Sequence, residues 1–157
     1  LHCASKIIRS ESGTIVSYDG DRIMAIFIGA NKESQATRAA MKINFACIYI
    51  INPQIPRYYN NSAYQVRHTI GIDASSLFVS RTGIRNWNDL VWVGQAANHA
   101  AKLCSLSNNY AVSVTAKVYY KLPEILKVSN RVYMWDAFNW NTYNRVIYRT
   151  AWTWPIW

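Results

Sequence analysis

The stretch Tyr18-Asp19-Gly20-Asp21, followed at once by the apolar run Ile23-Met24-Ala25-Ile26-Phe27-Ile28, constrains this chain more than any other feature. Asp and Gly accept the positive φ that a tight hairpin loop needs. The run behind them has the length and composition of a buried strand. With Thr14-Ile15-Val16 in front, the segment predicts a β-hairpin with two carboxylates at its tip. The chain has only five Asp in all. Setting two of them around one glycine, ahead of a buried strand, is repulsive unless a cation sits there. Mg²⁺ and Mn²⁺ take one or two carboxylates and complete their shell with phosphate oxygens, which such a turn can serve. A plain turn without a ligand is the structural alternative.

Around this hairpin the pattern alternates between helix and strand. Residues 4–10 predict a helix that Gly13 ends. Ala36, Ala39, Ala40, Ile43, Ala46, Cys47 and Ile50 recur at three and four residue steps, predicting an amphipathic helix from Ser34 that Pro53 and Pro56 close. Val66, His68, Ile70 and Ile72 alternate, and the turn Asp73-Ala74-Ser75 is expected to fold them against residues 77–79 as a second hairpin. On that strand His68 reads as a satisfied core histidine. Residues 81–88 read as a basic loop, residues 90–93 as a strand and residues 95–106 as a helix with a small-residue face. Residues 111–114 predict a strand, Thr115 an N-cap, and Pro123 a helix stop. Two last strands are expected over residues 131–135 and 145–151. Helices interspersed with a mostly antiparallel sheet define an α+β layer fold.

At 157 residues, 51% of them hydrophobic, the chain can build one core and is too short for two ordinary domains. Its longest apolar runs fall far short of the roughly 20 residues of a membrane span. Lys6 and Arg9 follow the first apolar residues, the wrong order for a secretory signal, so a cytosolic protein is expected. Cys3, Cys47 and Cys104 fit neither a disulfide framework nor a zinc site, and the latter two read as small buried hydrophobes. The net charge of +9 favours an anionic partner, whether RNA, DNA, a lipid surface or a nucleoside triphosphate. There is no GxSxG elbow, no Walker phosphate loop and no GxGxxG turn.

Two longer stretches carry a resemblance. Gly20-Asp21-Arg22-Ile23-Met24-Ala25-Ile26-Phe27 resembles the metal-carrying hairpin of the class III nucleotidyl cyclases. Further on, Asp89-Leu90-Val91-Trp92-Val93-Gly94 with Asn98, Ala100, Lys102 and Leu103 is similar to the family element that runs from a base-reading aspartate to a catalytic helix. Ile70-Gly71-Ile72 is similar to the strand before it. The resemblance covers residues 13 to about 122 and implies a class III cyclase-like α+β fold with a ferredoxin-like core. It also implies that Asp21, with a partner aspartate expected upstream of residue 1, holds two divalent ions, Mn²⁺ or Mg²⁺, on a triphosphate, with Asp19 a weaker candidate. Asn98 would orient the ribose. Lys102 stands where the family has an arginine that stabilises charge on the transferring phosphoryl group, and a lysine does this as a point charge. Asp89 would read the base edge.

The purine-reading lysine of the family is replaced here by Ser17, next to Tyr18. With the surrounding wording, this makes the chain most similar to the bacterial pyrimidine cyclases of the Pycsar type of antiphage defence. That resemblance implies a lyase that converts UTP to 3′,5′-cyclic UMP and pyrophosphate, acting as a second messenger for a separate effector, with cyclic CMP and then purine products as alternatives. It also implies a homodimer whose active sites combine Asp21 of one subunit with Asn98 of the other, and no requirement for nucleic acid. The family's first metal aspartate lies on a strand upstream of the hairpin. Glu11 is the sole acid before Asp19, so residues 1–157 are expected to form a single catalytic domain without that strand. A reading from a different class is a nucleic-acid-binding module, suggested by the charge and by Arg85-Asn86-Trp87 and residues 149–154. Five of the seven Trp lie at or after Trp135, and Trp152 and Trp154 fall on one face of a strand, so burial is expected for them rather than base stacking.

Overall fold

A computed structural model describes the chain apart from residues 61, 85, 86, 107 and 108 and the side chains of residues 84 and 87–89. Helix α1 (His2–Ser10) leads into the hairpin β1 (Thr14–Asp19) and β2 (Arg22–Ile26). Gly20 takes φ +57 at the first position of its two-residue loop, a conformation that costs glycine nothing. Helix α2 (Lys32–Phe45) does not stop at the prolines: it passes through a π-helical turn, Ala46–Ile51, into α3 (Asn52–Tyr58). The Asn52 N–H reaches back five residues to the Cys47 carbonyl, and this wider turn comes just before Pro53, which has no N–H to offer.

The central sheet has the order β3 (Ile70–Ile72), β6 (Val112–Thr115), β10 (Arg145–Thr150) and β9 (Asp136–Trp140). β3 pairs with β6 in parallel, whereas β10 runs antiparallel to both neighbours. The expected hairpin between residues 66–72 and 77–79 is therefore not formed. Residues 73–77 instead carry the chain out to a separate hairpin, β4 (Phe78–Ile84) and β5 (Trp87–Val93), paired from Phe78 opposite Val93 to Ile84 opposite Trp87. The predicted basic loop thus consists largely of strand, because seven cross-strand pairs outweigh Gly83 and the local charges. Residues 131–135 are also not one strand. A short ribbon, β7 (Val128–Ser129) with β8 (Val132–Tyr133), precedes β9.

One sheet face packs on α2 and on α5 (Ala116–Lys121), burying Met41, Val112, Val114, Val118, Leu126 and Trp135. At 0% exposure, Met41→Ala would cost about 2–5 kcal/mol in lost transfer energy and cavity. The opposite face carries α4 (Gln95–Leu103), with Leu103, Trp140 and Ile147 between helix and sheet. Residues 151–157 are not strand. They lie along α2, where the Asn44 side-chain amide donates to the Ala151 and Trp152 carbonyls and the Trp154 N–H donates to the Met41 carbonyl. Trp154 packs on the core as expected, but Trp152 and Trp157 are exposed. Among the described residues no helix is long and apolar enough to cross a membrane.

Candidate active site

The expected chemistry sits on two elements, the β1–β2 hairpin and α4. In the hairpin, Ile15 faces Ala25 and Ser17 faces Met24, so Val16 is an extra residue opposite nothing. This β-bulge sets the faces on which Ser17 and Tyr18 emerge, a use of bulges that is common beside functional sites. Ser17, Asp19 and Asp21 are exposed, and Tyr18 is 53% exposed with its hydroxyl 3.0 Å from Ser5 Oγ on α1. Asp19 and Arg22 close the hairpin opposite one another, leaving Asp21 in the loop itself.

Helix α4 presents Asn98 and Lys102, one turn apart and both exposed. Lys102 Nζ donates to the Tyr143 hydroxyl and lies 4.8 Å from the centre of that ring. The helix is placed by the segment before β4, whose alternate residues all meet it. Thr69 Oγ1 donates to the Cys104 carbonyl at 2.8 Å. A Cβ on Gly71 would sit 2.1 Å from the Ala100 carbonyl oxygen, so only glycine lets the strand come this close. His99 Nδ1 donates to Asp73 Oδ2 at 2.8 Å, and the Ala96 N–H donates to Ser75 Oγ at 3.1 Å, which caps the helix. Asp73 Oδ1 also accepts the Thr115 hydroxyl at 2.5 Å. Thr115 therefore occupies the expected N-cap position of α5 while its hydroxyl is spent on Asp73.

The structure thus brings Asn98 and Lys102 together and leaves the hairpin with its carboxylates in a separate sheet, packed through α1 rather than α4. Asp89 lies on β5 opposite Thr82, and its side chain is outside the described residues. Arg85, Asn86 and the Trp87 side chain, singled out for nucleic-acid binding, also fall outside them. Among the described residues no three His, Cys, Asp or Glu side chains gather into a metal site. His68 is not a satisfied core histidine: its Nε2 is buried without a partner among the described residues, and burial pushes its pKa down. Cys47 is buried as expected, whereas Cys104 is exposed, its Sγ accepting the Gly71 N–H at 3.1 Å.

No family profile matches the chain. A uridylate cyclase of Xanthomonas perforans is 48% identical over 157 residues, which span 99% of this chain and 68% of that protein. A uridylate cyclase of Burkholderia cepacia is 46% identical over 156 residues, spanning 99% of this chain and 67% of the relative. The chain belongs to the uridylate cyclase family. It spans about two thirds of the length of these relatives. A solved bacterial light-regulated adenylyl cyclase has a TM-score of 0.72 at 20% identity, over 95% of this chain and 42% of its own. A guanylyl cyclase has a TM-score of 0.70 at 14% identity, over 99% of this chain and 78% of its own. An adenylyl cyclase from P. aeruginosa has a TM-score of 0.66 at 18% identity, over 95% and 76%. These likenesses identify the class III cyclase fold that the Gly20-Asp21 hairpin and the Asn98 helix suggested.

Within this uridylate cyclase family member, sequence reasoning missed the contacts of Asp73, His99 and Tyr143. The signal was present in part. Thr69, Gly71, Asp73 and Ser75 alternate with Ile70, Ile72 and Ala74, and small or polar residues at every second position mark a face that can receive a helix closely.

Proposed function

We propose that this chain is the catalytic domain of a uridylate cyclase, a phosphorus–oxygen lyase that joins the 3′-oxygen of UTP to its α-phosphorus. The bond from that phosphorus to the bridging oxygen breaks, releasing pyrophosphate and leaving 3′,5′-cyclic UMP. The reading is carried by the identity to uridylate cyclases, which runs across nearly the whole chain rather than over one motif. In-line displacement asks the protein for positioning and charge rather than covalent chemistry.

In this reading Asn98 hydrogen-bonds the ribose and Lys102 meets negative charge on the transferring phosphoryl group. Both are exposed on one side of a helix held at several points, as positioning groups must be. Asp89 accepts a hydrogen bond from the base edge, while Ser17 and Tyr18 fill the space beside a pyrimidine. Asp21, with Asp19 as the weaker candidate, offers an exposed carboxylate on a loop. One or two such oxygens suit Mg²⁺ or Mn²⁺, which complete their shells with phosphate and water. A metal bound there supplies charge neutralisation for the triphosphate.

The reading includes a homodimer with composite sites. Its support is the hairpin's place in a sheet of its own, apart from the sheet on which α4 packs, together with the β4–β5 hairpin. Phe78, Leu90 and Val93 are 70%, 57% and 55% exposed there, and a two-stranded ribbon of this kind needs a cover to be stable. A cytoplasmic setting, an antiphage role and an effector reached through the diffusing product complete the proposal on the strength of the resemblance.

The test is incubation of the complete protein with each of the four ribonucleoside triphosphates and Mn²⁺, with products identified by mass. Cyclic UMP is expected as the main product. Chiefly cyclic AMP or cyclic GMP would refute the pyrimidine reading, and chiefly cyclic CMP would refute the choice of uracil.

A further inference from the structure

We infer that the Asp73–His99 pair is the positioning device of α4, holding Asn98 and Lys102 at the angle the reaction needs. The inference rests on the reading of Asn98 and Lys102 given above and adds two residues to it. Of the five contacts described between segment 69–75 and α4 with its C-cap Cys104, three use backbone atoms of the helix or bare close approach, and a fourth runs from the Gly71 N–H to Cys104 Sγ just past the helix end. Such contacts fix how near the helix lies. They constrain its rotation weakly, because backbone groups lie close to the helix axis. From segment 69–75, and among the described residues, only Asp73 hydrogen-bonds a side chain within Gln95–Leu103, and that side chain immediately follows Asn98 and precedes Lys102 by three residues.

The grip is rigid at both ends. The Asp73 side chain is 6% exposed and that of His99 12%. Both Asp73 oxygens are engaged, one by Thr115 on β6 and one by His99, so the carboxylate cannot swing without losing a buried bond. A carboxylate only accepts, so His99 carries its hydrogen on Nδ1. The far side of the imidazole meets the rings of Trp140 and Tyr143 edge-on, with centroids 5.9 and 5.6 Å away. Tyr143 in turn receives Lys102. One line of contacts therefore runs from the sheet through Asp73 and His99 to the lysine, and a turn of α4 about its axis would break it.

Two isosteres separate this role from others. Asparagine places an amide N–H where imidazole has Nδ1, and glutamine places one where it has Nε2. In His99→Asn, cyclic UMP formation should stay within about threefold of wild type. In His99→Gln and Asp73→Asn, kcat should fall roughly 10- to 100-fold with the KM for UTP nearly unchanged, the size of loss expected for misplaced rather than missing groups. Hydrogen exchange read without substrate should show the α4 amides of His99→Gln and Asp73→Asn exchanging at least about tenfold faster than in wild type, with His99→Asn unchanged. Equal losses in both His99 variants, a His99→Asn protein that does not fold, or wild-type exchange in His99→Gln would each overturn the inference. Wild-type protein that makes no cyclic UMP would instead sink the cyclase reading, and the exchange measurement would still decide the role of the pair.

Discussion

At the level of single residues, the proposed site residues Ser17, Asp19, Asp21, Asn98 and Lys102 are exposed, so their substitution should separate activity from folding. Asp21→Ala removes a loop carboxylate that supports no packing. Its melting temperature should match wild type, and product formation should fall below detection because charge needed on the triphosphate is gone. Turnover by a folded Asp21→Ala protein would exclude the metal role. Asp89→Ala should slow the reaction and also flatten the preference among the four nucleotides, since buried polar readout discriminates by leaving the wrong base unpaired. A slower enzyme that keeps its preference would assign base choice elsewhere. Asp21, Asn98 and Lys102 were singled out because they fall on the stretches that resemble the class III cyclases. His99 was not, because its meaning comes from Asp73, 26 positions away in sequence.

Among the elements, the approach of α4 to β3 hangs on one missing side chain. A methyl group at Gly71 would collide with the Ala100 carbonyl and with Leu103 Cβ at 2.7 Å, and backbone cannot fold away as a flexible side chain can. Gly71→Ala should therefore push the helix outward, costing about 1–3 kcal/mol of stability as an overpacked core does, and lower kcat further than the fall in folded fraction explains. Unaltered kcat in the folded fraction would show that the helix has slack. Helices α1 and α2 are joined by a different device. Glu11, 8% exposed, meets Lys42 at 2.8 Å and Arg38 at 2.9 Å. Burial alone would raise its pKa, but these two cations outweigh burial and hold the carboxyl below its ordinary value of 4.5. Glu33 is lowered as well, burial being outweighed by its own backbone N–H together with Lys121 and Lys32.

A group depressed in the folded state stabilises the fold above its unfolded pKa and loses that contribution as pH falls through the folded value. The melting temperature should thus be level between pH 7 and about 5 on this account and fall below about 4.5. Glu11→Gln should cost about 1–3 kcal/mol at neutral pH, with the gap to wild type closing under acid. A gap that stays constant with pH would show that the pairing carries no net stability. This tie was invisible in the sequence, where Glu11 and Arg38 are 27 positions apart and belong to unrelated patterns.

For the whole molecule, the decisive experiment concerns assembly. Asp21→Ala and Asn98→Ala proteins, each inactive alone, should regain part of the wild-type turnover when mixed, because one of the two composite sites in a mixed dimer carries neither lesion. No recovery, with subunit exchange demonstrated by mass, would mean that each site is built within one chain. The layer architecture was legible from alternating helix and strand periods, yet the strand order was not. Residues 70–72 and 77–79 are close in sequence and both apolar, which favours a hairpin on local grounds, but Val112 and Val114 offer β3 a buried parallel partner that local reasoning cannot see. The same blindness turned Pro53 and Pro56 into a helix end, where a π-turn lets the helix continue.

The place of β10 in the sheet has a consequence for how the molecule comes into being. It follows every other strand of its sheet along the chain, and it lies between β6 and β9 rather than at an edge. Until residues 145–150 have left the ribosome, β6 and β9 have no strand to join them, and the apolar side chains of α2 and α4 that belong against the closed sheet stay partly open to water. A nascent chain of this kind gains little from folding early, since its sheet closes through contacts distant in sequence. Exposure of β6 during that wait makes the interval before residues 145–150 emerge, rather than the finished protein, the time at which misassembly threatens. Slowed translation of the codons for residues 141–150 would lengthen that interval and lower the yield of folded enzyme.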